Sequence, residues 1–159
     1  MAQKQLSDGQ LYMMYGSPNK LGEGYITILQ LPYPMRLSWD LKTKVSRIQC
    51  HKKIADRLSA VFKELLETYG YDKLVKLEID IYGGCFNYRA MRGGKSLSRH
   101  SWGVAIDLNP TKNGLKTPFK QAQFSKPEYT DMFRIFYKHG FLNLGKEFNY
   151  DTMHFETFI

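Results

Sequence analysis

Three short stretches gather the side chains that a hydrolase needs: Phe86 to Arg92, Ser98 to Pro110, and Asp151 to Glu156. The middle one sets an imidazole, His100, seven residues before a carboxylate, Asp107, and the last carries a second imidazole, His154. A mixed nitrogen and oxygen set of this kind suits zinc, and three protein ligands leave its fourth position to water, which separates a catalytic site from a scaffolding one. Taken separately, the same residues read more plainly as a surface imidazole, a capping carboxylate and a strand histidine satisfied by its neighbours. Spacing alone does not decide between the two readings.

The elements that would position these groups can be read from periodicity. Ser101 to Leu108 alternates, with Trp102, Val104, Ile106 and Leu108 on one side and Gly103, Ala105 and Asp107 on the other, and predicts a strand. Residues 100 and 107 have opposite parity, so a regular strand would aim them at opposite faces. His100 must therefore precede the strand proper. Thr152 to Phe158 predicts a last strand with His154 and Glu156 on one side.

Upstream, Lys76 to Tyr82 alternates Leu77, Ile79 and Ile81 against Lys76, Glu78 and Asp80, which predicts a half-buried strand ended by Gly83-Gly84. Ile54, Leu58, Phe62 and Leu65 recur at helical spacing, so a helix is expected from about Ser46 to Tyr69, stopped by Gly70. Ser125-Lys126-Pro127-Glu128 has the form of a capping box with proline in the first turn, opening a helix that carries Met132, Phe133 and Phe136 to Gly140. From Met1 to Asp40, glycines and prolines interrupt any period. That stretch is expected to be a loop-rich wrap with one short strand at Tyr25 to Leu31. The sum is an α+β fold in a single domain over residues 1–159, with its core in 41–159.

Composition sets outer bounds. The chain has 159 residues, 43% of them hydrophobic, enough for one core and unlike a disordered sequence. Lys and Arg outnumber Asp and Glu by 23 to 15, so an anionic partner such as a wall polymer, a membrane surface or nucleic acid fits the charge. No long basic run or nucleic-acid motif accompanies it, and nucleic acid is not expected as a partner. Two cysteines, Cys50 and Cys85, give neither a disulfide framework nor the Cys-x-x-Cys spacing of a sulfur-rich metal site. Met1 to Gln10 is polar and no run of about 18 apolar residues occurs, so synthesis in the cytoplasm without a signal peptide or membrane span is expected.

Ser98-x-His100-x-x-Gly103-x-Ala105-x-Asp107, followed later by Asp151-x-x-His154, resembles the zinc D-alanyl-D-alanine carboxypeptidase and L-alanyl-D-glutamate endopeptidase family. That family includes vancomycin-resistance D,D-peptidases and many phage endolysins. The resemblance runs from about Asp40 to Phe158 and includes Phe86-Asn87-Tyr88-Arg89 upstream. It implies a small antiparallel sheet flanked by helices, of the kind shared by hedgehog domains and D,D-peptidases. It also implies zinc held by His100, Asp107 and His154, with Asp151 as general base, Arg89 steadying the oxyanion and Ser98 contacting substrate. Many relatives carry Glu where Asp151 stands, and relatives often place a Trp within the segment that reads Leu144 to Phe148 here. The implied substrate is the peptide of bacterial peptidoglycan. A monomer released to the wall by a phage holin is the expected setting.

Other residues invite chemistry less strongly. Cys50 beside His51 lacks an oxyanion turn or third partner and reads as packing. Glu156 is a candidate to orient a ligand, and Arg92 and Lys95 around Gly93-Gly94 read as a flexible basic turn in preference to a contact for a substrate carboxylate. His139 before Gly140 suits a helix C-terminus. A non-catalytic wall-binding module is the rival reading from another class, with a D-alanyl-D-alanine carboxypeptidase as the rival within the enzyme class.

Overall fold

In a computed structural model, residues 3–159 are described. Ser7 opens the first helix, α1 (Asp8–Tyr15), through a capping box in which its side chain accepts from the Gln10 amide and the Gln10 side chain accepts in return. The helix buries Leu11 and Tyr15. A long hairpin follows, β1 (Ile26–Leu37) and β2 (Asp40–His51). Within the stretch expected to be loop-rich, Asp8–Tyr15 is helix, and the strand expected at Tyr25 to Leu31 runs on to Leu37. Leu29, Leu31, Tyr33 and Met35 alternate inward along β1, and the ladder shifts register between Gln30 and Met35. Pro32 and Pro34 fall inside that shift, where a missing amide hydrogen costs the ladder little.

The first long helix, α2 (Ala55–Tyr69), starts later than its periodicity suggests, because Arg47 to His51 pair with Ile26 to Gln30 as strand. The predicted apolar stripe holds, with Leu58, Phe62 and Leu65 buried, and Gly70 ends the helix. The predicted strand over Lys76 to Tyr82 is corrected more fully. Its first residue closes α3 (Tyr71–Lys76), a turn follows with Glu78 at a φ of 61°, and β3 is only Ile81–Gly84. Asp80, expected on the polar side, is fully buried and bridged by Arg36 through two bonds of 2.8 Å.

Arg99–Trp102 is a single 3-10 turn, and β4 (Ala105–Leu108) begins only after it. The expected alternation still sorts the side chains, since Trp102, Val104, Ile106 and Leu108 are all buried. The capping box expected at Ser125 is absent: its hydroxyl donates to the Ala122 carbonyl at 2.8 Å, and α4 (Thr130–Lys138) follows a short 3-10 turn at Pro127–Tyr129. After Gly140 come β5 (Phe141–Asn143), α5 (Leu144–Phe148) and β6 (His154–Thr157). β5 and α5 are too short to write a period.

The six strands form one mixed sheet in the order β2-β1-β3-β4-β6-β5, parallel at β1–β3 and antiparallel elsewhere. With its helices this is the α+β fold expected. Helices α2 and α4 pack against it, and Phe136 stacks on Phe155 of β6 at 3.9 Å between ring centroids. That contact anchors the strand carrying His154.

Gly103 ends the turn that carries His100, at a φ of +70°. A Cβ there would lie 2.9 Å from the His51 amide nitrogen and 2.6 Å from Ile26 Cδ1, so both conformation and space require glycine. Gly103→Ala is expected to lower stability by about 1–3 kcal/mol, read as a lower urea midpoint at unchanged slope.

Candidate metal centre

Asp107 and His154 are direct cross-strand partners in the β4–β6 ladder, so their side chains leave the sheet on one face. His100 comes from the 3-10 turn before β4, as its parity requires. Ser98 caps that turn, its hydroxyl accepting from the His100 amide at 3.2 Å. These three elements bring His100, Asp107 and His154 together, with one ligand atom from each lying within 4.8 Å of the others.

Both imidazoles are held in one orientation by a bond on the far side of the ring. His100 Nδ1 lies 2.8 Å from the Cys85 carbonyl oxygen, an acceptor only, so Nδ1 carries the hydrogen and Nε2 turns a lone pair inward. His154 Nε2 lies 2.9 Å from Glu156 Oε1, which leaves Nδ1 as the inward nitrogen. His100 Nε2 is 3.2 Å from Asp107 Oδ2, and His154 Nδ1 is 3.3 Å from Asp107 Oδ1. Yet His100 Nε2 and Asp107 Oδ1 are buried without a hydrogen-bond partner among the described residues. Buried polar atoms left in this way are costly, and a cation at the shared point would satisfy them together. The donor set, two nitrogens and a carboxylate, fits zinc.

Burial by itself would raise the Asp107 carboxyl and lower the His154 imidazolium. The neighbouring imidazoles outweigh burial at Asp107 and hold it well below the usual carboxylate range. At His154, Asp107 and Glu156 outweigh it and push the ring up to about 10. Asp151 behaves differently: burial raises it, the Asp107 charge adds to that, and His154, His100 and Arg92 only partly offset the rise.

Asp151 sits three residues before His154 with Oδ2 at 3.8 Å from His154 Nδ1. Its backbone adopts a φ of 56°, fixed by its amide on the Leu115 carbonyl and by its carbonyl accepting from the His154 amide, both at 3.0 Å. Such a conformation is uncommon outside glycine, and Asp is among the residues that tolerate it. The main chain of Arg89 is pinned by the buried Ser101, whose hydroxyl accepts from the Arg89 amide at 3.0 Å and donates to its carbonyl at 2.9 Å. The Ser101 clamp has no signal in the sequence beyond its place beside His100.

One cleft of ≈ 730 Å³ is lined by His100, Asp107 and His154 and also by Asp151, Arg89 and Ser98. Arg92, Gly93 and Gly94 reach it as well, whereas Lys95 does not line it. Leu144 of α5 and the exposed Tyr150 also line it. Cys50 and His51 are buried elsewhere: burial pushes the thiol up to about 12, and His51 Nε2 meets the Tyr15 carbonyl at 2.8 Å. Both cysteines are free.

Residues 92–157 match the sequence model of a family described as D-alanyl-D-alanine carboxypeptidase. The matched stretch contains Ser98, His100, Asp107, Asp151 and His154 and begins just after Arg89. No curated protein and no solved structure matches. The match supports the metallopeptidase resemblance carried by the motifs, and the donor set is consistent with a metal-dependent hydrolase. No described helix is long and apolar enough to cross a membrane.

With His154 raised to about 10, the metal-free protein holds a proton on this ring at neutral pH, and a cation must displace it. Zinc affinity is therefore expected to fall about tenfold per unit as pH is lowered from about 8 to about 6. Competition against a chromophoric chelator measures it.

Proposed function

We propose that the chain is a zinc metallopeptidase that hydrolyses peptidoglycan stem peptides, and specifically an L-alanyl-D-glutamate endopeptidase of the endolysin type. The observation that carries this reading is the convergence of His100 Nε2, Asp107 and His154 Nδ1 at one point of a cleft that also holds Asp151. Zinc held by those three residues supplies Lewis acidity and brings the ionisation of water near neutral pH.

Asp151 is the general base in this scheme. Its carboxylate lies beside the inward nitrogen of His154, and its raised pKa brings the acid form nearer to working pH. It accepts a proton during attack and returns that proton to the leaving amine. Arg89 lies on the cleft wall, where a guanidinium offers charge to the developing oxyanion. Ser98 already accepts from the His100 amide, and its hydroxyl hydrogen remains to meet substrate. The excess of Lys and Arg suits a substrate embedded in anionic wall polymers.

A second reading, a D-alanyl-D-alanine carboxypeptidase, is favoured by the description of the matched family. The two differ in product. Digestion of purified peptidoglycan followed by mass spectrometry is expected to yield new D-glutamate amino termini, whereas released D-alanine alone would move the assignment to the carboxypeptidase.

Asp151→Asn is expected to lower kcat by about 10²–10⁴-fold while zinc content stays that of the parent. Undiminished turnover with zinc in place would remove Asp151 from the role. Arg89→Ala is expected to reduce kcat by about 10²–10³-fold, with zinc content again unchanged.

A further inference from the structure

Glu156 holds the outer nitrogen of His154, so whatever holds Glu156 bears on the metal ligand. Its carboxylate is 1% exposed, and a charge so buried needs compensation. Two side chains provide it. Gln5 Nε2 donates at 3.1 Å to Oε1, the same oxygen that meets His154 Nε2. Arg99 brings its Nε to 3.7 Å from Oε2. That last contact is long, and neither atom has a hydrogen-bond partner among the described residues. The position of the guanidinium therefore depends on its other end.

The other end is anchored to the N-terminal segment. Arg99 Nη2 donates to the Leu6 carbonyl, and Nη1 lies 3.3 Å from Asp8 Oδ1. The segment is itself fixed: the Ser7–Gln10 capping box starts α1 there, and α1 packs Tyr12 edge-on against Trp102 at 5.1 Å. Trp102 Nε1 then donates to the Gly16 carbonyl at 2.8 Å. Arg99 and Trp102 belong to the same 3-10 turn as His100. One short turn and one strand residue thus connect residues 5–8 to both imidazoles, although the segment lies outside the matched stretch 92–157.

We infer that Gln5, Leu6 and Asp8, acting through Arg99 and Glu156, form a strap that positions His154 and His100, so that metal retention depends on the N-terminal segment. This rests on the proposed metal role of His154. Gln5 and Arg99 are positioning residues here. They touch neither the inward nitrogens nor the Asp107 carboxylate, and they act on the direction and electron density of the His154 ring through its outer hydrogen bond.

The test uses the full chain stripped of metal and titrated with zinc chloride against a chromophoric chelator. Thermal unfolding of each metal-free variant and the visible spectrum of its cobalt(II) form are recorded alongside. Arg99→Met is expected to weaken zinc binding by about 10–100-fold and Gln5→Ala by about threefold or more, with a displaced cobalt ligand-field band in the former. His154→Ala is the reference and is expected to lose tight zinc binding. Parent-like zinc affinity in both strap variants, with binding lost in His154→Ala, would overturn the strap and leave the metal assignment standing. Parent-like affinity in His154→Ala would overturn the metal assignment and the strap with it. Should Arg99→Met fail to fold, the milder Gln5→Ala decides by the same criterion.

Discussion

Everything proposed for this molecule depends on one nitrogen from each of two imidazoles being turned toward one carboxylate on the wall of the cleft. The Cys85 carbonyl and the Glu156 carboxylate accept the outer hydrogens of His100 and His154, which removes the tautomeric choice each ring would otherwise have. The inward nitrogens of both rings then face the Asp107 carboxylate at 3.2 and 3.3 Å, but His100 Nε2 and Asp107 Oδ1 make no hydrogen bond among the described residues. Potential ligand atoms from three residues aimed at one place, two of them buried without a partner among the described residues, suit a cation.

The fold serves this geometry with few parts. The β4–β6 register sets Asp107 opposite His154, and β6 is fixed in turn by the stacking of Phe155 on Phe136. The turn before β4 lifts His100 to the same side, closing on a glycine because its neighbours leave no room for a Cβ. Ser101 in that turn also clamps the main chain of Arg89, and Ser98 caps it. Around the centre, environment divides the two aspartates: Asp107, flanked by both imidazoles, stays ionised, while Asp151 is pushed toward its neutral form by burial and by the Asp107 charge. Two carboxylates with diverging proton affinities suit one for holding charge and the other for moving a proton.

Candidate site residues were easier to single out in the sequence than the scaffold was. His100, Asp107, Asp151 and His154 stood out through the motif resemblance, since spacing alone left them undecided, and the parity of 100 against 107 already required His100 to stand outside the strand, as the turn before β4 places it. The strand expected at Tyr25 to Leu31 is longer than its sequence suggests for a physical reason: Pro32 and Pro34 are breakers in a paired strand, and nothing local announces that the ladder shifts where they fall. Similarly, Arg47 to His51 continue smoothly into a helical stripe, and only pairing with Ile26 to Gln30 makes them strand. The turn at Leu77 to Asp80 looked like half a strand, since the partner that allows Asp80 to be buried, Arg36, lies 44 residues away. Gln5 and Arg99 carried no local signal either, because their meaning lies in contacts across the whole chain.

The central claim is most directly tested by X-ray absorption at the zinc edge on the zinc-loaded protein, together with metal stoichiometry. One zinc per chain is expected, with a nitrogen and oxygen shell at about 2.0–2.2 Å and the outer-shell scattering of two imidazoles. A sulfur shell at about 2.3 Å, which would point to Cys50 or Cys85, or a stoichiometry well below one per chain, would contradict it.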